Sequence, residues 1–170
     1  MDHFARLGLP AALDLEPATL DRAYFALQRQ WHPDRFANRP AEERARSSSE
    51  AAALNDAYRT LKDPLSRAVY FAGLKGVELP GDGKTIDDPD LLMEAMEARE
   101  ALHEAITVEA VDRLAAEARD DMKNSLAGLG GLFLRDDKPA IRKALLRLRY
   151  LDKFAEEARA RRTNLERVKA

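Results

Sequence analysis

Apolar side chains recur at three- and four-residue spacing along most of this 170-residue chain, which is the period of an amphipathic helix. No segment of useful length alternates between apolar and polar residues, so the pattern predicts no β-sheet. Three pieces emerge: short helices over residues 1–74, a loop or linker over 75–86 with three glycines and one proline, and three long helices over 87–170. The predicted fold class is therefore all-α, with two helical domains joined by a linker.

Two consecutive helices of the first piece are predicted to form an antiparallel hairpin. The first begins at Pro17, a residue type favoured in the first turn, and it stops at Trp31 because Pro33 forces His32 out of the helical region. The second runs from about residue 41 to residue 62, and a short helix over 65–73 follows it. The apolar stripes are Leu20, Ala23, Tyr24, Leu27 and Trp31 in the first helix, and Ala51, Leu54, Tyr58 and Leu61 in the second.

The tripeptide His32-Pro33-Asp34 lies at the predicted tip of this hairpin, where side chains are presented rather than buried. His32 supplies a donor, Pro33 a rigid ring and Asp34 an acceptor. Together they form a compact polar docking motif that loses little conformational entropy on binding. As a catalytic pair, these residues lack a nucleophile and an orienting partner. The residues therefore favour partner docking over catalysis, with a simple turn as the remaining interpretation.

Composition narrows the function classes. The chain has no cysteine, which excludes disulfides, thiol catalysis and an iron–sulfur cluster held by its own thiolates. No apolar run approaches 18 residues and the first residues do not look like a signal peptide, so we expect no membrane partner and a cytoplasmic location.

Charge is unevenly distributed along the chain. Residues 78–121 carry 14 acidic against 4 basic side chains, and residues 139–170 carry 10 basic against 4 acidic ones. The simplest interpretation is an acidic helix packed beside a basic one. A nucleic-acid partner is not expected, because it would need an uncompensated basic face.

Two segments of the first piece resemble the J domain, the module by which co-chaperones dock on DnaK-class chaperones. Residues 23–36, which contain the tripeptide, are similar to its second helix and loop, and residues 54–70 to its third helix and the start of its fourth. The resemblance extends to the HscB family of iron–sulfur cluster assembly through Asp2-His3-Phe4, Gly8-Leu9-Pro10, Leu91-Leu92-Met93-Glu94, Arg99-Glu100 and Leu148-Arg149-Tyr150-Leu151-Asp152-Lys153.

This resemblance implies a J domain joined to a three-helix bundle that binds an IscU-like scaffold protein, with stimulation of ATP hydrolysis by an HscA/DnaK-class chaperone. It also implies that the chain is no enzyme and needs no cofactor. Basic residues Arg22, Arg29 and Arg35 lie on the expected chaperone-facing side with His32-Pro33-Asp34, although a solvated basic edge is the ordinary alternative. Phe25 beside them either packs under the linker or joins the contact.

The first bundle helix has two apolar faces. Leu91, Ala95, Ala98, Leu102 and Ile106 form the expected core stripe, and Leu92, Met93, Met96, Glu97, Glu100 and Glu104 fall opposite. An apolar patch with an acidic rim is typical of a protein-binding surface, whereas a wider buried face is the structural alternative. The resemblance favours scaffold binding there, and Tyr150 on the last helix either extends the patch or packs against a neighbouring helix.

Other features of the bundle support weaker hypotheses. The last helix is predicted to start at Asp136 or Asp137, with a core stripe of Ile141, Leu145, Leu148, Leu151 and Ala155. Glu100 and His103 have the spacing of a di-iron ligand pair, but a second copy is missing, so no metal site is expected. The glycines of residues 128–131 are predicted to weaken or end the middle helix.

Two rival functions stay open on the sequence alone. One is a J protein with a different client, which would have no reason to carry the acidic-rimmed patch. The other is a di-iron or haem-type bundle enzyme, which metal analysis would reveal.

Overall fold

A computed structural model describes residues 1–81, 84 and 86–169 of the chain, with the backbone alone for residue 169. The chain divides into two compact units, Met1–Lys75 and Gly76–Ala170. All regular structure in the described residues is helical, which confirms the predicted all-α class. The predicted linker includes residues 82, 83 and 85, which lie outside the described residues, and the proposed boundaries 1–74, 75–86 and 87–170 stay a prediction.

The first unit holds four α-helices and one short 3-10 helix. In chain order these are α1 (His3–Arg6), α2 (Pro17–Trp31), the 3-10 helix (Pro33–Phe36), α3 (Ala41–Lys62) and α4 (Pro64–Leu74). The ends of α2 and α3 fall where the prolines predicted them, and Asp63 caps α4 by accepting a 2.7 Å hydrogen bond from the backbone N–H of Ser66. Gly76 follows α4 with a φ of +79°, a left-handed conformation that glycine adopts without a steric cost.

Aromatic and hydrogen-bonding side chains join α2 to α3. The rings of Tyr24 and Tyr58 stack with their centroids 4.0 Å apart. The hydroxyl of Tyr24 donates to Asn55 at 2.7 Å, and that of Tyr58 donates to Asp21 at 2.8 Å. Below them lies a buried core, which includes Phe4, Leu7, Leu20, Leu54, Ala57, Leu61, Ala68, Phe71 and Ala72.

The second unit is a bundle of three longer helices, α5 (Pro89–Glu104), α6 (Val108–Leu134) and α7 (Lys138–Lys169). Each begins at a polar cap: Asp88, Thr107 and Asp137 accept hydrogen bonds from the backbone N–H groups of Leu91, Ala110 and Ala140. Helix α7 contributes most of the large buried side chains, namely Ile141, Leu145, Leu146, Leu148, Leu151 and Phe154.

Ion pairs line the contact between α5 and α7. Arg142 pairs with Asp87 at 2.5 Å, Lys143 with Asp88 at 3.5 Å, and Arg147 with Glu94 at 2.8 Å, each with the cation on α7. Further along, the pair between Arg99 of α5 and Glu157 at 3.1 Å has the opposite polarity. The interpretation of the charge asymmetry as an acidic helix beside a basic one is therefore confirmed.

Of the two expectations for the glycines of residues 128–131, that they end the middle helix is wrong, because α6 runs without interruption through them to Leu134. Leu129, in the middle of these glycines, is fully buried, and its packing outweighs a propensity cost of about 1 kcal/mol per glycine. The helix ends further on, where Asp136 takes a φ of 50° and the N–H of Asp137 bonds back to the carbonyl of Leu132 at 3.2 Å.

Two predicted core positions are also wrong. Ile106 was expected in the stripe of α5, but the helix ends at Glu104, Ala105 takes the buried place, and Ile106 is 77% exposed. On α7 the expected Ala155 is only half-buried, whereas Phe154 and Ala158 on either side of it are buried. At Ile106 the stripe fails because the helix has already ended. On α7 a stripe extrapolated at constant spacing drifts from the face that the neighbouring helices cover.

No helix among the described residues combines the length and apolar character needed to cross a lipid bilayer.

Candidate protein-docking sites

The His32-Pro33-Asp34 loop is held at its base and open at its tip. His32 leaves α2 in an extended conformation, with φ −60° and ψ 128°, as the following proline requires. The buried hydroxyl of Ser47 on α3 donates a 2.8 Å hydrogen bond to the carbonyl of Trp31, the last residue of α2. The point from which the loop departs is thereby fixed on both helices of the hairpin.

The polar side chains of the loop face solvent. The side chain of Asp34 is 91% exposed and that of His32 is 52% exposed. The backbone N–H of Asp34 donates to Nδ1 of His32 at 3.3 Å, which leaves Nε2 as the N–H donor of the neutral ring. The loop therefore presents an outward donor and an outward carboxylate on a short 3-10 turn, a geometry suited to docking.

Three arginines expected on the same surface are exposed. Arg22 bonds to Thr19 at 3.1 Å, and Arg35 donates to the backbone carbonyl of Arg29 at 3.0 Å. Within the part of the chain that the structure describes, none of the three forms an ion pair with a carboxylate. Their charge is therefore available to a partner.

The apolar patch on α5 is narrower than the sequence predicts. Met93 and Met96 are 64% and 61% exposed, whereas Leu92 is half-buried and offers only part of its side chain. The predicted rim residues Glu97, Glu100 and Glu104 are all exposed. The buried face lies opposite, at Leu91, Ala95 and Leu102, so the two-faced pattern is present as predicted apart from Leu92.

Tyr150 is part of the bundle interior rather than of an open surface. It is half-buried and packs against the core cluster that contains Leu102, Val111 and Leu151. Its hydroxyl donates a short hydrogen bond to Glu94 of α5. Of the two alternatives for this residue, packing against a neighbouring helix is the observed one, and a part in scaffold binding stays a prediction.

Glu94 and Arg147 complete a charged network around this tyrosine, and the sequence did not reveal it. Arg147 lies 2.8 Å from Glu94 and 3.0 Å from Asp121 of α6, so it joins all three helices. Burial raises the pKa of Glu94, but the hydrogen bonds from Arg147 and Tyr150 outweigh it and hold that pKa below its ordinary value. Burial and the same carboxylate raise the pKa of the Tyr150 phenol.

The suspected di-iron pair has no supporting geometry. Glu100 and His103 are both exposed on α5. Among the residues that the structure describes, no group of three or more histidine, aspartate or glutamate side chains is placed to hold a metal ion.

Comparison with known proteins assigns the two units to two domain families. A family described as the DnaJ domain matches residues 2–70, and one described as the HSCB C-terminal oligomerisation domain matches residues 87–159. The co-chaperone protein HscB homolog of Cupriavidus taiwanensis is 42% identical over 92% of this chain and 90% of its own length. The chain belongs to the HscB family of J-domain co-chaperones. HscB proteins serve iron–sulfur cluster assembly.

Further relatives support the HscB assignment along the whole chain. The HscB homolog of Burkholderia multivorans is 39% identical over 96% of this chain and 95% of its own. The structure of the chaperone HscB from Vibrio cholerae superimposes with a TM-score of 0.84 at 33% identity, over 97% of this chain and 99% of that one. Human co-chaperone protein HscB gives a TM-score of 0.86 at 30% identity, over 94% and 81% of the two chains.

The match to the HSCB C-terminal domain ends at residue 159, but α7 continues to Lys169 and contributes a contact beyond it. The guanidinium of Arg161 donates to the carbonyl of His103 at 3.0 Å and to that of Ala105 at 3.1 Å. These carbonyls close the C-terminal end of α5, where unpaired backbone acceptors and the helix dipole favour a cation. The basic composition of residues 139–170 was the only sequence signal for this contact.

Proposed function

We propose that this HscB-family protein delivers an IscU-like scaffold protein to an HscA/DnaK-class chaperone and stimulates the ATPase of that chaperone during iron–sulfur cluster transfer. The observation that carries the proposal is the pair of exposed methionines on α5, followed by three exposed glutamates on the same helix, in a chain that also presents an exposed His-Pro-Asp loop. A J protein without a dedicated client has no need of such a patch.

The chaperone-facing surface in this proposal consists of His32, Pro33 and Asp34 with Arg22, Arg29 and Arg35. The exposed cations steer the approach of an acidic partner, and the loop then fixes the register through its donor and its carboxylate. Because Ser47 holds the base of the loop, little conformational entropy remains to be lost on docking.

The scaffold-facing surface in this proposal is the patch on α5. Met93 and Met96 supply the apolar area, since flexible thioether side chains adapt to a partner surface, and Leu92 adds its exposed part. Glu97, Glu100 and Glu104 form a rim that orients a basic partner. Tyr150, which is half-buried and bonded to Glu94, adds the part of its side chain that stays accessible.

The protein acts in this proposal by bringing two partners together and carries no catalytic residue of its own. Residues 29–37, around its exposed histidine and aspartate, include no serine, threonine, cysteine or lysine that could act as a nucleophile. The cytoplasmic location expected from the sequence is part of the same proposal.

The first experiment tests the loop. Replacing His32 by Gln should abolish stimulation of ATP hydrolysis by an HscA-class chaperone, while the melting temperature stays unchanged because the loop contributes no buried side chain. Asn38→Gln, another exposed position after the 3-10 helix, is the control and should stimulate normally. Full stimulation by folded His32→Gln protein would defeat the chaperone-docking assignment.

The second experiment tests the patch. Replacing Met93 and Met96 together by Ala should weaken binding of an IscU-like scaffold by about 1–2 kcal/mol per side chain, as expected when large apolar groups lose contact area. The matched control replaces Ile106 and Leu134, which are 77% and 90% exposed in the same unit, and should bind as the unmodified protein does. Equal affinity of the two double variants, measured by titration calorimetry, contradicts the scaffold-binding assignment.

A further inference from the structure

The surface beside the His-Pro-Asp loop contains an apolar groove that the charges of the loop do not explain. We propose that Phe25 and this groove form an apolar docking element for the chaperone, and that the groove receives an aliphatic side chain flanked by carboxylates. The inference rests on the proposed function, because it adds a contact to the same chaperone-facing surface.

Phe25 is unusual among the side chains of α2. It is 56% exposed on a face whose other members are polar or small. Single exposed apolar residues are common on protein surfaces, but this one lines a concave site. The open groove has a volume of about 660 Å³, and its walls are Tyr24, Phe25, Gln28, Arg29, His32 and Arg35.

The walls of the groove are already ordered in the free protein. Phe25 packs against Tyr24 with ring centroids 5.2 Å apart, and Tyr24 is in turn stacked on Tyr58 of α3. Gln28 is held by Asn55, to which its amide donates at 2.6 Å. A preformed apolar site loses little side-chain entropy on binding, so contact area there translates into affinity.

The charges around the groove select the kind of side chain that can enter it. Arg29 and Arg35 stand at its rim, with the guanidinium of Arg35 tied to the carbonyl of Arg29 at 3.0 Å. Of the described residues, those that line the groove include no acidic one. An apolar group surrounded by carboxylates is therefore accepted, whereas one surrounded by lysines or arginines is repelled.

Position in the fold identifies the occupant as the chaperone. His32 belongs both to the tripeptide and to the wall of the groove, and Arg35 follows the tripeptide directly. A protein that docks on the loop therefore covers the groove in the same encounter. Its contact surface combines polar contacts to the loop with one apolar anchor at Phe25, the arrangement in which a central anchor dominates the binding energy.

Replacing Phe25 by Ala tests the anchor. We expect an HscA-class chaperone to bind about tenfold more weakly, equivalent to about 1.4 kcal/mol, with the stimulated ATPase rate recovered at saturating co-chaperone. Phe25→Leu should restore most of the affinity. Leu74→Ala, which removes a 45% exposed side chain elsewhere in the same unit, should change nothing.

Measuring affinity across a range of salt concentrations distinguishes an apolar anchor from an electrostatic one. Phe25→Ala should lower log Ka by the same amount at low and at high salt, because salt does not screen apolar contacts. Arg35→Ala should instead make log Ka depend less steeply on the salt concentration, because salt screens the charge that this variant removes. If the loss of affinity caused by Phe25→Ala disappeared at high salt, the proposal would be overturned.

Two further outcomes have distinct meanings. Unchanged affinity of Phe25→Ala, with unmodified protein that stimulates normally, overturns the anchor and leaves the proposed function intact. A clear fall in the melting temperature of Phe25→Ala also overturns it, because the ring is then covered by the protein's own chain. Unmodified protein that fails to stimulate the chaperone overturns both proposals.

Discussion

The two units join their helices by different chemistry. In the first unit, stacked tyrosines and hydrogen bonds such as Tyr24 to Asn55 connect α2 with α3, and the ion pair between Arg6 and Glu50 fixes α1. In the bundle, a row of ion pairs runs along α5 and α7, and Arg147 joins all three helices. The α2–α3 hairpin of the first unit is therefore held mainly by ring stacking and hydrogen bonds, whereas ion pairs hold α5 of the bundle in place.

This difference determines which charges remain available to a partner. The arginines of α2 can be reserved for docking because the hairpin does not need them. The acidic residues at the start of α5 and along it have two roles, because Asp87, Asp88 and Glu94 pair with α7 while Glu97 and Glu100 are exposed and form no ion pair among the described residues. The same residue type stabilises the fold on one face of the helix and is free to bind on the other.

The largest expected effect breaks the charge network of the bundle. Arg147→Met leaves the half-buried Glu94 and its neighbour Asp121 without their cation, which should lower the free energy of unfolding by about 2 kcal/mol. Arg29→Met in the first unit, the matched control, should change it by less than about 0.5 kcal/mol. Urea denaturation of both variants measures the contrast, and equal stabilities would remove the distinction between the two units.

A smaller effect is expected at the C-terminal end of α5. Arg161→Met removes hydrogen bonds to the carbonyls of His103 and Ala105 and should cost about 1–2 kcal/mol. Arg159→Met, an exposed neighbour on α7, serves as the control. Hydrogen exchange should show faster opening of the last turn of α5 in the first variant alone; equal protection in both would show that Arg161 does not cap the helix.

A gain in stability is expected where the glycines of α6 have open space beside them. A Cβ added at Gly128 or Gly130 meets no heavy atom within 4 Å, so Ala at either position should stabilise the bundle by about 0.5–1 kcal/mol through helix propensity. Thermal melts of the two single variants measure it. A destabilisation would show that these positions are closely approached by another part of the molecule.

The smallest effect concerns pH. The pKa of Glu94 is lowered in the folded protein, so its ion pair contributes fully above the ordinary value of 4.5 and is lost as the pH falls through the folded pKa. The pKa values of Asp87 and Asp88, lowered by hydrogen bonds from Arg142 and from the N–H of Leu91, act in the same direction. The melting temperature should be constant near neutral pH and should decline below about pH 4.5. Glu94→Gln should make that decline smaller. If the decline is the same in this variant, Glu94 is not its source.

Much of the fold could be predicted because local signals decide it. Pro33 and Pro64 end helices through backbone sterics alone, so the bounds of α2 and α3 follow from the sequence. The continuation of α6 through its glycines could not be predicted, since it depends on the burial of Leu129 by another helix. Tertiary packing overrides propensity there.

The candidate sites also combine features that local sequence determines with features that depend on tertiary packing. The exposed loop and the exposed methionines were predictable because they depend on one helix or one turn at a time. The partial burial of Leu92 and the bond from Tyr150 to Glu94 were not, because they depend on how α5 is rotated against α7. The opposite charges of the two segments indicated that they pair, but not which carboxylate would pair with which cation.

The contact made by Arg161 also determines how much of the chain is needed to transfer the methionine patch to another protein. The match to the HSCB C-terminal domain ends at residue 159, yet the cation that closes α5 lies two residues beyond it. A bundle shortened at that boundary keeps every residue of the methionine patch. It loses Arg161, however, whose hydrogen bonds hold the C-terminal end of α5, the helix that carries the patch. The smallest transplantable unit therefore extends past the match to the C-terminal domain family, and a graft ending at 159 should bind its client less tightly than one ending after Leu165, which packs on the same core.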